Sequence, residues 1–116
     1  MSRWCADFET IEELDEEKVR VWSWCASEIG NTDNIYRGLD IESFMQWLKH
    51  RQGETVYFHN LQYDGGYIVD WLLKNGWEWR QDNQDFVPGV FTSLISDMNV
   101  WYCLKLYWGG KPVEIL

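Results

Sequence analysis

The seven residues Trp4-Cys5-Ala6-Asp7-Phe8-Glu9-Thr10 set two carboxylates into an otherwise apolar run with the character of a β-strand. Side chains alternate across a strand, so Asp7 and Glu9 project from one face while Trp4, Ala6 and Phe8 project from the other. Two acidic groups on one face make half of a site for a divalent cation. A solvated strand face is the bland alternative. A third carboxylate, Asp64, lies in Tyr57-Phe58-His59-Asn60-Leu61-Gln62-Tyr63-Asp64-Gly65-Gly66, where a strand-like run gives way to a helix.

The rest of the chain reads as mixed α and β. Glu12-Glu13-Leu14-Asp15-Glu16-Glu17 reads as a solvated acidic loop. Val19 to Ala26 is rich in β-branched and aromatic residues and predicts a second strand, antiparallel to the first. Gly30-Asn31-Thr32-Asp33-Asn34 is a turn cluster, and Ile35-Tyr36-Arg37 reads as a short edge strand. The period then changes: Ile41, Phe44, Met45 and Leu48 describe one face of a helix with Asp40 as N-cap, ending near His50 to Gly53.

Thr55 to His59 reads as an interior strand. A helix opened by Asp64 carries Ile68, Trp71 and Leu72 inward and stops at Asn75-Gly76. Trp77-Glu78-Trp79 alternates as a strand does, and Arg80 to Gly89 is a loop. Val90 to Ser96 and Val100 to Tyr107 read as a hairpin around Asp97-Met98-Asn99, with Val100, Tyr102, Leu104 and Leu106 on one face. Val113 to Leu116 begins a further apolar strand.

Length and composition limit what such a chain does. Its 116 residues suffice for one core and are too few for an enzyme of several lobes. With 46% hydrophobic and 17% aromatic residues it should be globular, the tryptophans serving the core. No run reaches the roughly 20 apolar residues of a membrane span, and the N-terminus lacks a basic region followed by an apolar one. The expectation is a soluble, unsecreted protein with no membrane partner. Three cysteines, Cys5, Cys25 and Cys103, without paired spacing suggest neither a zinc site nor a disulfide framework, which suits a reducing cytoplasm. A net charge of −9 is awkward for a protein that holds DNA phosphates.

Asp-x-Glu in a first strand, followed by Asn-x-x-Tyr-Asp leading into a helix, resembles the first two motifs of the 3′-to-5′ exonuclease domain of family B DNA polymerases. Asp7-Phe8-Glu9-Thr10, Tyr57-Phe58-His59-Asn60-Leu61 and Tyr63-Asp64-Gly65 look most like the protein-primed polymerases of small phages. The resemblance runs from about Arg3 to the last residue. It implies an α/β fold of the ribonuclease H-like exonuclease type, a mixed sheet with flanking helices. The chain would be a single partial domain, residues 1–116, truncated on its C-terminal side.

The resemblance also assigns roles. Asp7 would bridge two divalent ions, Mg²⁺ or Mn²⁺, Glu9 would hold the one that activates water, and Asp64 would hold the other. Thr10, His59, Asn60, Tyr63 and Tyr67 match positions that contact the 3′ end of single-stranded DNA. The bland readings are a core Tyr67, an interior His59, a turn residue at Asn60 and a helix cap at Asp64. The family's third motif, Tyr-x-x-x-Asp, is not expected here: Asp82, Asp85 and Asp97 lack a tyrosine four residues earlier, and Ser93-Leu94 only imitates another of its motifs.

Two functions follow. One is the proofreading exonuclease portion of a protein-primed DNA polymerase, phage-encoded and cytoplasmic in a bacterial host, weak or inactive as this piece, with a terminal protein as the primer of a whole homologue. The other is a stand-alone acidic binding protein on a shortened exonuclease scaffold, which imitates DNA against a host nuclease or defence complex.

Overall fold

The computed structural model describes residues 2–13, 18–95 and 101–116. Among these residues, eight strands and two helices follow the order β1 (Arg3–Glu13), β2 (Lys18–Glu28), β3 (Asn31–Gly38), α1 (Ile41–Lys49), β4 (Thr55–Phe58), α2 (Leu61–Lys74), β5 (Glu78–Trp79), β6 (Val90–Ile95), β7 (Trp101–Tyr107) and β8 (Val113–Ile115). The strands form one mixed sheet in the order β3-β2-β1-β4-β8-β7-β6-β5. β1 and β4 run parallel, as do β4 and β8, while β1 with β2 and β6 with β7 are antiparallel. The expected mixed sheet with flanking helices is therefore present.

Alternation in β1 works as the sequence requires. Trp4, Ala6 and Phe8 are buried, and Cys5, Asp7 and Glu9 are exposed. The buried set continues through Trp24, Ala26, Val56, Phe58, Ile115 and Leu104 into a single core with Phe44, Met45 and Leu48 of α1 and Ile68 and Leu72 of α2. Each Val, Leu, Ile, Phe or Met side chain so removed from water contributes about 1.5–3 kcal/mol. Phe8 meets Phe44 and Phe58 edge to face, at centroid distances of 4.8 and 4.9 Å. Both helices thus cover the face that β1 lines with Trp4, Ala6 and Phe8, and among the described residues the carboxylate face carries no helix.

Local chemistry sets the helix ends. Asp40 caps α1, its carboxylate accepting from the backbone N–H of Ser43 at 2.7 Å. α2 ends at Asn75, with Gly76 at φ +80° and the N–H of Trp77 donating to the carbonyl of Leu72. That is the left-handed stop for which glycine carries no side-chain penalty.

Several expectations need correction. Glu12 and Glu13 extend β1 instead of starting the acidic loop, and residues 14–17 lie outside the described residues. The turn is at Ile29-Gly30, so Asn31 to Asn34 belong to β3, which is an eight-residue edge strand. A strand with a free edge tolerates polar side chains on both faces. Trp71 is half-buried and packs against the core as expected, its indole N–H donating to Glu42 at 2.6 Å, but Trp79 is exposed, so not every tryptophan joins the core. The hairpin partners β6 and β7 pair as expected, and Leu104 and Leu106 are buried. Its connection, the side chains of Val100 and Tyr102, and Asp97 fall outside the described residues. Among the described residues no helix is long and apolar enough to cross a membrane.

Candidate functional site

The site is built where β1, β4 and the start of α2 meet. Parallel pairing sets Ala6 beside Phe58, the last residue of β4, and the residues that follow them, Asp7 and His59, line one cavity. The antiparallel partner of Asp7 is Cys25, and that of Glu9 is Ser23. The β1–β2 register shifts between Glu9 and Thr10. Such irregularities re-aim side chains beside functional sites; here Glu9 and Thr10 are both exposed.

Asp64 sits in the first turn of α2 and is only 7% exposed. It is not the cap of that helix: Asn60 holds the cap position, and no hydrogen bond from its side chain caps the helix. Asp64's carboxyl group accepts from the backbone N–H of Phe8, which favours the ionised form. Burial outweighs that bond, and the charges of Asp7 and Glu9 add to the effect of burial. The pKa of Asp64 is pushed up to about 6. The three carboxylates singled out in the sequence, separated by more than fifty residues, therefore lie within electrostatic reach of one another.

Among the described residues, Asp7 and Cys25 line two cavities. The larger, about 700 Å³, is lined by Cys5, Asp7, Cys25, Tyr57, His59 and Asn60 among others. The smaller, about 230 Å³, is lined by Asp7, Glu9, Ser23, Cys25 and Arg37 among others. Thr10, Tyr63 and Tyr67 line neither. His59 is exposed, which removes the interior-histidine reading, and Tyr63 is 68% exposed on the first turn of α2. Tyr67 is half-buried and packs against the core, so the core reading of that residue holds in part.

Local sequence pattern does not single out Arg37, which reads only as part of an edge strand. Its signal is register: Arg37 pairs with Cys25, which pairs with Asp7. Contrary to the expectation that the motif is lacking, Tyr36 and Asp40 have the Tyr-x-x-x-Asp spacing. The structure gives Asp40 a different task, the cap of α1.

Carboxylate oxygens are the donors that Mg²⁺ and Mn²⁺ prefer, so the donor set of Asp7, Glu9 and Asp64 fits such ions. A buried carboxyl group with a raised pKa beside two others is what a divalent cation would relieve. Among the described residues, however, no group of three His, Cys, Asp or Glu side chains is closed to metal-binding distance.

No protein-family model matches the chain. The DNA polymerase of Bacillus phage M2 is 40% identical over 105 residues, covering 90% of this chain and 17% of that protein. Phi29 DNA polymerase complexed with primer-template DNA superposes with a TM-score of 0.83 at 29% identity, over 98% of this chain and 20% of that one. The same polymerase complexed with single-stranded DNA superposes with a TM-score of 0.78 at 29% identity, over 98% and 20% of the two chains. The chain thus spans less than a quarter of the length of the polymerases it resembles. In sequence and in fold, it matches the N-terminal region of the phi29-type phage DNA polymerases.

Proposed function

We propose that this chain forms the first part of a 3′-to-5′ exonuclease domain, which removes nucleotides from the 3′ end of single-stranded DNA in a protein-primed phage DNA polymerase. The observation that carries the reading is Asp64, buried and facing the charges of Asp7 and Glu9. A structural role alone gives no reason to crowd three acids where β1 passes the first turn of α2.

Asp7, Glu9 and Asp64 are the residues that would hold two divalent ions, Mg²⁺ or Mn²⁺. When bound there, such ions supply an activated water and neutralise charge that develops on the phosphate. The chain's own groups handle the substrate. His59 and Asn60 line the larger cavity with Asp7, in position to donate hydrogen bonds to the terminal nucleotide. Asn60 has its side-chain amide free of capping. Tyr63 offers an exposed ring on which a base stacks, and Thr10 and Tyr67 complete the set. The phi29 polymerase complexed with single-stranded DNA supports a strand as the ligand. Priming by a terminal protein is the context of a whole polymerase.

The test is a 5′-labelled single-stranded oligonucleotide incubated with Mn²⁺ or Mg²⁺, comparing the chain with Asp7→Ala/Glu9→Ala, alongside thermal unfolding with and without the ion. We expect Mn²⁺ to raise the Tm of the parent and not of the double variant. Any 3′ shortening should be slow, because the fourth carboxylate of the third motif is not supplied. A folded parent in which Mn²⁺ changes neither Tm nor oligonucleotide length would sink the proposal. The net charge of −9 favours the second reading, an acidic binding protein that mimics DNA; capture by a basic host nuclease with Asp7 and Glu9 dispensable would support it.

A further inference from the structure

We propose that Arg37 is a phosphate-positioning residue, and that the cavity it shares with Asp7 and Glu9 receives a backbone phosphate of the single-stranded substrate. The inference rests on the nuclease reading above and adds to it a residue and a subsite.

The register aims the side chain. Arg37 is paired with Cys25 and Cys25 with Asp7, which sets the three in one row across three strands. Its neighbour Tyr36 turns to the opposite face, where its ring lies 5.7 Å from Trp4 and 6.0 Å from Trp47. Gly38 on the other side permits close packing, since a Cβ there would overlap the indole of Trp24 and the hydroxyl of Ser43. With its two neighbours held in this way, Arg37 projects onto the carboxylate face by strand alternation.

The chemistry of the cavity is uneven. Asp7 and Glu9 supply acceptors, Ser23 supplies a hydroxyl, and Arg37 is the cationic member of the lining. Among the described residues no ion pair joins Arg37 to either carboxylate. Its planar guanidinium is suited to bidentate donation to a phosphate. The smaller cavity suits a phosphate, whereas the larger one on the β4 side of Asp7 has room for a nucleotide. A strand that crosses from one to the other passes Asp7. In a chain of net charge −9, one cation at this place matters more than it would in a basic protein.

The experiment measures binding of a fluorescein-labelled oligothymidylate by anisotropy, in EDTA so that no cleavage occurs, as a function of salt. Arg37→Gln should weaken binding roughly tenfold and lower the magnitude of the salt slope by about 0.7, as loss of one phosphate contact requires. Arg37→Lys should keep the slope and recover only part of the affinity. Arg80→Gln removes a cation that pairs with Glu78 at the far edge of the sheet, and should leave binding unchanged. Parent-like affinity and slope in Arg37→Gln would overturn the inference while leaving the nuclease reading intact. Equal weakening by Arg80→Gln would also overturn it, because the effect would then belong to net charge. Failure of the parent itself to bind would overturn both readings together.

Discussion

The backbone N–H of Phe8 donates a hydrogen bond to the carboxyl group of Asp64, and so ties the first turn of α2 to the strand that carries Asp7 and Glu9. Burial and those two neighbours nevertheless raise its pKa from 3.8 to about 6. A raised carboxylate pKa means that the folded state holds a proton which the unfolded chain has already released. The contribution is complete below the unfolded value and is lost as pH rises through the folded one, a difference of about 3 kcal/mol. Asp64→Asn should therefore match the parent in acid and exceed it in stability by up to that order above neutral pH. Urea unfolding at several pH values measures this, and parallel profiles for the two proteins would contradict it.

Tyr63 separates function from folding. With 68% of its surface exposed, its truncation to alanine should change stability by less than about 0.5 kcal/mol. Loss of one stacked base should weaken oligonucleotide binding by about 1–3 kcal/mol, and Tyr63→Phe should restore it. Paired denaturation and anisotropy measurements decide the point; a variant that unfolds early but binds normally would reverse the assignment.

Arg51 lies over three aromatic rings, 5.1 Å from the centroid of Trp4, 5.3 Å from Trp47 and 5.8 Å from Tyr36. Its Nε is buried without a hydrogen-bond partner, and Glu54 approaches it at 3.8 Å. The guanidinium is thus held mainly by the ring faces. Arg51→Ala should cost about 2 kcal/mol, whereas Glu54→Gln should cost less than about 1 kcal/mol. Chemical denaturation followed by tryptophan fluorescence tests the ranking, and a larger loss in Glu54→Gln would refute it.

Asp40 joins the cap of α1 to the core through Ser43, whose hydroxyl accepts from the indole N–H of Trp24 at 2.8 Å and donates to the carbonyl of Asp40 at 3.0 Å. The bond from the Ser43 backbone N–H holds the Asp40 carboxyl below its usual pKa. Asp40→Ala should cost about 1 kcal/mol, and Asp40→Asn less. The parent's advantage over Asp40→Asn should fade as pH falls through the lowered pKa, because protonation weakens the cap. Thermal unfolding of the three proteins at neutral and acid pH provides the check.

Where the physics is local, residues close in sequence declared the structure. Period-2 alternation in Trp4 to Thr10 placed Asp7 and Glu9 on one face, and period-3.6 spacing from Ile41 to Leu48 with Asp40 before it marked α1 and its cap. Asn75-Gly76 announced the end of α2. What tertiary structure decided was which distant residues meet. Strand order set β8 between β4 and β7 and β1 beside β4, and only that adjacency buries Asp64 near Asp7 and Glu9 and makes a raised pKa of a residue that sequence alone also allowed as a cap. Register across β2 brought Arg37 to the same cavity, and left Tyr36 and Asp40, with the spacing of a third motif, on other duties. Periodicity reports the face on which a side chain lies; its neighbours there follow from how the apolar faces of separate elements pack together, which no local pattern encodes.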